Sequence, residues 1–170
     1  MSIEITLTRG QVSIVCDCHA SLIKSRKWYA MWNPTSHQFY AARGTSIAER
    51  LAGAPKTIMM HAVINGTPRG IGTDHINSNA LDNRCVNLRT ATAAENGHNR
   101  GKTQLNTSGY KGVYWHKINA RWMAIIGING HDKYLGCFDT AEAAAYCYDA
   151  AARELYGDFV RTNFPAKSVP

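Results

Sequence analysis

The sequence predicts an α+β protein, because two patterns occur in different parts of the chain. Near the amino terminus Ile3, Ile5 and Leu7 alternate with polar residues, as in a strand that buries one face. Toward the carboxyl terminus, three strand-like segments precede one long alanine-rich helix. The polar, glycine- and serine-containing stretch 101–109 lies between these patterns and predicts a boundary.

The N-terminal segment, residues 1–55, is rich in predicted strands. Two short strands are expected on either side of the turn Arg9–Gly10, and a second pair around 28–32 and 37–42. A polar stretch with Gly and Pro then holds a short predicted helix over 47–51.

The middle segment, residues 56–104, begins with the apolar run 57–65, which reads as a strand. A loop over 66–72 follows. After Leu88 the alanine- and threonine-rich sequence predicts a short helix that ends near Gly97 or Gly101.

The C-terminal segment, residues 105–170, predicts a three-stranded antiparallel sheet packed on one helix. Asn129–Gly130 is the preferred type I′ hairpin turn between the second and third strands. Asp139 and Glu142 have the spacing of a capping box, with Asp139 as the N-cap of a helix that runs to about Tyr156. The predicted strands span 110–115, 121–128 and 133–138.

Charge and cysteine content indicate which ligands and which cellular location suit this protein. The chain has 19 Lys and Arg against 12 Asp and Glu, a net charge of +7, which suits phosphate contacts without requiring them. The five cysteines form no C-x-x-C pair, which argues against a disulfide framework or a zinc ribbon and favours free thiols. No signal peptide or long apolar run is evident, so we expect a soluble, cytoplasmic protein.

A candidate catalytic site lies in the stretch 73–100. Asp74 offers a carboxylate to a hard cation, and the adjacent His75 offers an imidazole as general base on water. Asn96, on the predicted helix, supplies a second oxygen ligand, while Asn87 holds the His75 loop by side chain-to-backbone hydrogen bonds. Two oxygen ligands favour Mg²⁺, or another divalent cation such as Mn²⁺, over a closed zinc cage.

Two arginines lie between these candidate site residues in the sequence. Arg84 and Arg89 are candidates for contacts with phosphate or for stabilising charge that develops near the metal. The alternative is that both are solvated or stabilise the fold.

The string MHAVIN…TDHINSNALDNRCVNLRTATAAENGHN, within residues 57–101, resembles the HNH endonucleases in their His-Asn-Asn variant, of the phage and mobile-intron type. The resemblance implies a ββα-metal nuclease fold with His75 as base, Asn87 as orienting residue, and Asp74 and Asn96 as metal ligands.

The sequence departs from this family at one proposed metal ligand, so the identity of that ligand is open. A histidine is more usual at the position of Asn96, and His98 and Asn99 follow closely. The second metal ligand is therefore either Asn96 or one of these neighbours.

Basic and aromatic side chains interleave along the predicted C-terminal strands, a composition that suits phosphate and base contacts. Lys111, Arg121 and Lys133 are expected to face DNA, whereas Trp122 and Phe138 are expected in the core.

The sequence from YKGVYW to TNFP, within residues 109–165, is similar to the ethylene-response-factor (Apetala-type) DNA-binding domain. The family lays its three-stranded sheet in the major groove, which places its contact sites on or near Lys111, Tyr114, His116, Arg121 and Tyr134. Tyr114 and His116 replace arginines of the family, so the target sequence does not transfer.

These observations predict a metal-dependent DNA endonuclease of the homing or phage type. It hydrolyses phosphodiester bonds in double-stranded DNA, is guided by the C-terminal domain, and is expected to nick one strand. The alternatives are a DNA-binding transcription regulator whose nuclease module is inactive and, less favoured, an RNA-cleaving enzyme. We expect a monomer, with a homodimer as the alternative, and no membrane partner.

Overall fold

The computed structural model describes residues 1–68, 70–103 and 105–165. Over these residues the protein is a mixed α+β structure with several small sheets, as the sequence predicts. The chain divides into two compact units, Met1–Asn96 and Gly97–Pro170. Within the described residues, no helix has the length and apolar character needed to cross a membrane.

The first unit contains small sheets joined by short helices. Its first hairpin turns at the predicted Arg9–Gly10, and its second helix has a capping box between Ser46 and Glu49. The strands are β1 (Ser2–Thr6), β2 (Val12–Cys16), β3 (Tyr29–Asn33), β4 (Gln38–Gly44), β5 (Thr57–Met59), β6 (Gly72–His75), β7 (Asp82–Asn83) and β8 (Leu88–Ala91). The helices are α1 (Ala20–Lys24), α2 (Ile47–Leu51), α3 (Met60–Asn65) and α4 (Ala93–His98), whose last residues begin the second unit.

The sheets of the first unit join distant parts of the sequence. One sheet has the order β1-β2-β7, with β2 and β7 parallel, and another has the order β3-β4-β5. β6 pairs with β8 in a two-stranded antiparallel sheet. Strands from residues 1–55 and 56–104 therefore share sheets, and the division into three domains stays a prediction. The described residues of this unit form an apolar core whose buried members include Val15, Ile23, Trp28, Met60 and Leu88.

The apolar run 57–65 is only partly a strand, and the prediction is wrong for its second half. Thr57–Met59 forms β5, but α3 takes over from Met60. Met60 and Ile64, four residues apart, are both buried, which is the spacing of one helix face. A short apolar run does not itself distinguish a strand from a buried helix.

The second unit has the predicted order of three strands and a helix. Asn129 and Gly130 both have positive φ, of 50° and 82°, as a type I′ turn requires. The elements are β9 (Val113–His116), β10 (Arg121–Ile128), β11 (His131–Phe138) and α5 (Ala141–Tyr156), with the sheet order β11-β10-β9.

The start of α5 differs from the prediction by one residue. Thr140, rather than Asp139, is the N-cap, and its hydroxyl oxygen accepts a hydrogen bond from the Ala143 N–H at 3.1 Å. The Asp139 carboxylate instead pairs with Arg121 at 2.8 Å.

The core of the second unit forms where α5 covers one face of the sheet. Val113, Ala124 and Ile126 pack there against Tyr148 and small helix residues. The Tyr148 ring also lies directly over Gly112, whose φ is +74° and whose position has no room for a Cβ. Trp122 and Phe138 pack partly buried against this core, which confirms their predicted place.

Candidate catalytic site and nucleic-acid face

The predicted site residues lie on a strand–strand–helix segment of the first unit. β6 carries Asp74 and His75 and pairs with β8 so that Asp74 lies opposite Arg89 and His75 opposite Leu88. α4 follows β8 directly and carries Asn96. Residues far apart in the sequence thus meet on one small scaffold.

His75 is buried and belongs to a hydrogen-bonded chain. Its Nε2 lies 3.0 Å from the Asn83 Oδ1, the Asn83 Nδ2 donates to the Ser13 hydroxyl at 2.8 Å, and that hydroxyl donates to the Leu81 carbonyl at 3.0 Å. Because the Ser13 proton points to the Leu81 carbonyl, its oxygen accepts from Asn83, and this sets the orientation of the amide. The amide oxygen only accepts, so Nε2 carries the proton and Nδ1 is the unprotonated nitrogen of the neutral ring.

Other rings surround His75. The His61 ring centroid lies 5.0 Å from that of His75, and Tyr40 lies 5.9 Å from His61 and 6.2 Å from His75. Burial, followed by the charge of His75, lowers the pKa of His61 to about 3. Burial also lowers the pKa of His75, although the Asn83 hydrogen bond and the Asp74 charge oppose this shift. Both imidazoles are therefore neutral near pH 7, and a neutral imidazole is the form that accepts a proton.

Asn87 fastens the loop that follows His75. Its Nδ2 donates to the Asp82 carbonyl at 2.7 Å, and its Oδ1 accepts from the Asn77 backbone N–H at 2.9 Å. The Asn87 carbonyl also accepts from the Ile76 N–H at 2.9 Å. These are side chain-to-backbone bonds of the kind expected for it, while its catalytic role stays a prediction.

Arg84 and Arg89 each have a carboxylate partner within the unit. Arg89 donates from Nε and Nη2 to the Asp74 Oδ2 at 3.0 and 2.8 Å. Arg84 binds Asp82 through both carboxylate oxygens at 2.7 Å, and this contact holds the pKa of Asp82 below its usual range. Both guanidinium groups thus stabilise the fold, and their contact with DNA stays a prediction.

The Asn96 amide lies on the face of β6 that carries the Asp74 side chain. A Cβ built at Gly72 would lie 2.8 Å from the Asn96 Nδ2, so the amide occupies the space beside Gly72. Residues two apart in a strand point to the same side, and Asp74 is two residues after Gly72. A carboxylate and an amide on one face are oxygen donors suited to Mg²⁺ or Mn²⁺.

The two other candidate ligands belong to the second unit. The His98 ring stacks on Tyr156, with ring centroids 3.6 Å apart and planes 11° apart, and Asn99 is buried. Which of these three side chains is the second metal ligand stays a prediction, and the position of the Asn96 amide beside Gly72 favours Asn96.

Four of the predicted DNA-contacting residues share the sheet face opposite α5. Val113 and Ala124 face the helix, so the alternating positions Tyr114, His116 and Arg121 point away from it. Tyr134 lies opposite Ile125 and joins them. The Tyr114 and Tyr134 side chains are 53% and 57% exposed, which makes an open aromatic and basic face.

The structure does not bring Lys133 and Lys111 to this face. A register shift after Ala124 sets Lys133 opposite Ile126, whose side chain faces α5. Lys111 is half-buried, and its ammonium donates to the carbonyls of His98 at 2.6 Å and Arg161 at 3.3 Å. Burial, followed by the Arg161 charge, lowers the Lys111 pKa to about 8. Their contact with DNA stays a prediction that this geometry does not favour.

Asn83 and Ser13 have a part in the site that the sequence analysis missed. Asn83 lies within the stretch 73–100, between Asp82 and Arg84, but nothing in its spacing indicates a contact with His75. The contact between Asn83 and Ser13 depends on the parallel pairing of β2 with β7, in which Val15 lies opposite Asn83.

Comparison with known proteins identifies a family. The chain is 36% identical over 94 residues to protein 3.8 of Escherichia phage T7, an alignment that covers 55% of this chain and 77% of the phage protein. The chain belongs to the protein 3.8 family. No protein-family profile matches the chain, and no solved structure matches it.

Two other kinds of protein are similar to parts of this chain. An uncharacterized HNH endonuclease of Acanthamoeba polyphaga mimivirus is 36% identical over 97 residues, covering 56% of this chain and 49% of the mimivirus protein. An ethylene-responsive transcription factor of Arabidopsis thaliana is 46% identical over 74 residues, covering 41% of this chain and 28% of the plant protein. The chain thus spans about half of the mimivirus relative and less of the plant one.

Proposed function

We propose that this member of the protein 3.8 family is a metal-dependent DNA endonuclease that nicks double-stranded DNA. The mimivirus relative is named an HNH endonuclease, and the plant relative is named a transcription factor. These names support catalysis by one part of the chain and DNA binding by another. We assign catalysis to the first unit and DNA recognition to the second.

The observation that carries the proposal is the buried chain from His75 through Asn83 to Ser13. It keeps the proton on the His75 Nε2, so that Nδ1 is the basic nitrogen. A general base needs a ring held in one tautomer, next to the groups that position its substrate. The strand–strand–helix segment that carries this ring, with Asp74 and Asn96 on one strand face, also supports a ββα-metal module.

Each residue of the proposed catalytic site has a separate role. Asp74 and Asn96 would hold a divalent cation, which would supply positive charge to the scissile phosphate. The His75 Nδ1 takes a proton from a water as the water oxygen forms a bond to phosphorus. The P–O bond to the leaving oxygen breaks, and that oxygen takes up a proton from solvent to become a hydroxyl. Asn83 is a positioning residue for His75, and Asn87 holds the following loop.

The second unit contributes binding. Tyr114, His116, Arg121 and Tyr134 form an exposed face with aromatic, imidazole and guanidinium groups. Aromatic and basic groups on one face suit contacts with phosphate and base edges. We propose that this face lies against duplex DNA.

The test of the proposal is a nicking assay on supercoiled plasmid at a concentration where sedimentation shows a monomer. We expect open circles to accumulate before linear DNA with Mg²⁺ or Mn²⁺, and no product with a chelator. One base and one pair of metal ligands serve one scissile phosphate at a time, and the two strands run in opposite directions. Linear DNA that forms without prior open circles contradicts nicking, and DNA that stays supercoiled contradicts the nuclease.

A second candidate function has one observation in its favour. The Arg89 guanidinium lies 2.8 Å from the Asp74 Oδ2, where its positive charge opposes that of a cation. A chain in which this ion pair excludes the metal is a DNA-binding regulator with an inactive nuclease module. Binding of duplex DNA without any metal-dependent product in the same assay favours this function.

Replacing Gly72 with alanine is expected to raise the Mg²⁺ concentration needed for nicking. The added Cβ meets the Asn96 Nδ2 at 2.8 Å and the Ala91 carbonyl oxygen at 2.9 Å, so the amide has to move. Titration of the nicking rate with Mg²⁺ measures the effect. The matched control is Gly44→Ala, whose Cβ has open space; an unchanged Mg²⁺ requirement in Gly72→Ala contradicts the role of Asn96.

The salt dependence of binding tests the proposed DNA face. Arg121→Ala is expected to reduce the slope of log K against log salt by roughly 0.9, the value for one phosphate contact on duplex DNA. Lys133→Ala should leave the slope unchanged, because the register places Lys133 on the helix side of the sheet. Fluorescence anisotropy at several salt concentrations measures both slopes. The reverse result, a loss for Lys133 and none for Arg121, places the DNA on the other face.

A further inference from the structure

Three cysteines and a histidine converge at one edge of the first unit. The Cys16, Cys18 and Cys85 sulfur atoms all lie within 4.8 Å of one another. The His19 Nδ1 lies 3.3 Å from the sulfur atoms of both Cys18 and Cys85. None of these cysteines forms a disulfide.

The fold explains how these side chains meet. Cys16 ends β2, and Cys18 and His19 lie in the short 3₁₀ helix Asp17–His19 that follows. The parallel pairing of β2 with β7 brings the start of the 3₁₀ helix Cys85–Asn87 beside them. The Cys85 N–H donates to the Cys16 sulfur at 3.1 Å. A backbone N–H directed at a sulfur stabilises a thiolate, which is the form that binds metal.

We propose that Cys16, Cys18, His19 and Cys85 bind a structural Zn²⁺ ion. Three thiolates and one imidazole are a donor set for a closed tetrahedral zinc site. Zn–S bonds of about 2.3 Å and Zn–N bonds of about 2.0–2.1 Å give sulfur–nitrogen edges of roughly 3.6 Å in a tetrahedron. The observed separations of 3.3 Å are close to these edges, so small side-chain movements complete the site.

This site differs in chemistry from the one that contains Asp74 and Asn96. Thiolate donors select zinc, whereas carboxylate and amide oxygens suit magnesium. The zinc ligand Cys85 is followed closely by Asn87, which fastens the loop after His75. Bound zinc therefore ties β2 and the turn after it to the segment that carries Asn87.

The experiment measures zinc in the full chain, purified under reducing conditions, by elemental analysis. We expect about one zinc per chain, lost in Cys85→Ser and Cys18→Ser and retained in Cys137→Ser, a control on β11 of the second unit. His75→Ala should also retain zinc, so that the zinc site and the proposed nuclease site fail separately. Circular dichroism checks that each variant is folded.

Cobalt substitution tests the ligand set. Cobalt bound to the metal-free chain should give a thiolate-to-cobalt charge-transfer band in the near ultraviolet, weaker in Cys16→Ser and with an altered visible spectrum in His19→Ala. Added zinc should raise the thermal unfolding midpoint of the metal-free wild type and not that of Cys85→Ser.

Three results overturn the proposal. The first is a reduced chain that neither contains zinc nor is stabilised by added zinc. The second is zinc content that survives both Cys18→Ser and Cys85→Ser in folded protein. The third is a freshly purified chain whose mass is lower by two hydrogens and whose disulfide maps to this cluster.

Discussion

Replacing His75 with alanine is expected to lower the rate of plasmid nicking by about 10²–10⁴-fold, the usual contribution of a general base. DNA affinity should change little, because we propose that DNA binds across the face of the second unit, whereas His75 is buried in the first. Gel-based nicking rates with saturating Mg²⁺, together with anisotropy binding curves, measure the two quantities separately. His131→Ala, at the exposed first residue of β11, is the matched histidine control. A His75→Ala chain that nicks at a rate near that of the wild type would falsify the assignment.

The role of Asn83 is tested with the same assay and a second measurement. Asn83→Ala removes the acceptor for the His75 Nε2 proton, so the protonated nitrogen is no longer specified. The ¹⁵N shifts of His75 should then report a mixture of tautomers, and the nicking rate should fall by less than in His75→Ala. A slower enzyme whose His75 still shows a single Nε2–H tautomer indicates a purely structural role for Asn83.

Replacing Asp149 with alanine is expected to destabilise the second unit by more than about 3 kcal/mol. The carboxylate is fully buried and accepts hydrogen bonds from the backbone and side-chain amides of Asn163 and from the Phe164 N–H, at 2.8–2.9 Å. Each donor left unpaired out of water costs about 1–3 kcal/mol. Asn163 also binds the Lys111 N–H and carbonyl, so the change loosens both ends of the unit.

Chemical denaturation followed by NMR signals of the second unit measures this loss. Asp132→Ala is the control, because Asp132 is an exposed residue next to the β10–β11 turn; surface changes of this kind usually stay within about 0.5 kcal/mol. A midpoint for Asp149→Ala that matches the control contradicts the structural role of the carboxylate. Loss of DNA binding with nicking retained at high enzyme concentration is the expected functional consequence.

The elements with short-range signals are the ones that the sequence predicts well. The helix 47–51, the Asn129–Gly130 turn and the helix that ends at Tyr156 each depend on residues within a few positions of one another. Capping and turn geometry involve only neighbouring backbone groups, so their signals are local. The errors are equally local in cause: the run 57–65 has no period that separates strand from helix, and Thr140 competes with Asp139 as a cap.

The sequence by itself determined the α+β class and the candidate residues Asp74, His75, Asn87 and Asn96, because adjacency and composition are visible along the chain. Only the tertiary structure decided which groups act on them. The Ser13 bond to Leu81 spans 68 positions, and Cys85 meets Cys16 across 69. The register shift between β10 and β11 likewise decides that Lys133, rather than Tyr134, lies opposite Ile126. Contacts at such separations depend on which strands pair and in what register, and strand pairing is set by the burial of whole faces rather than by any local motif.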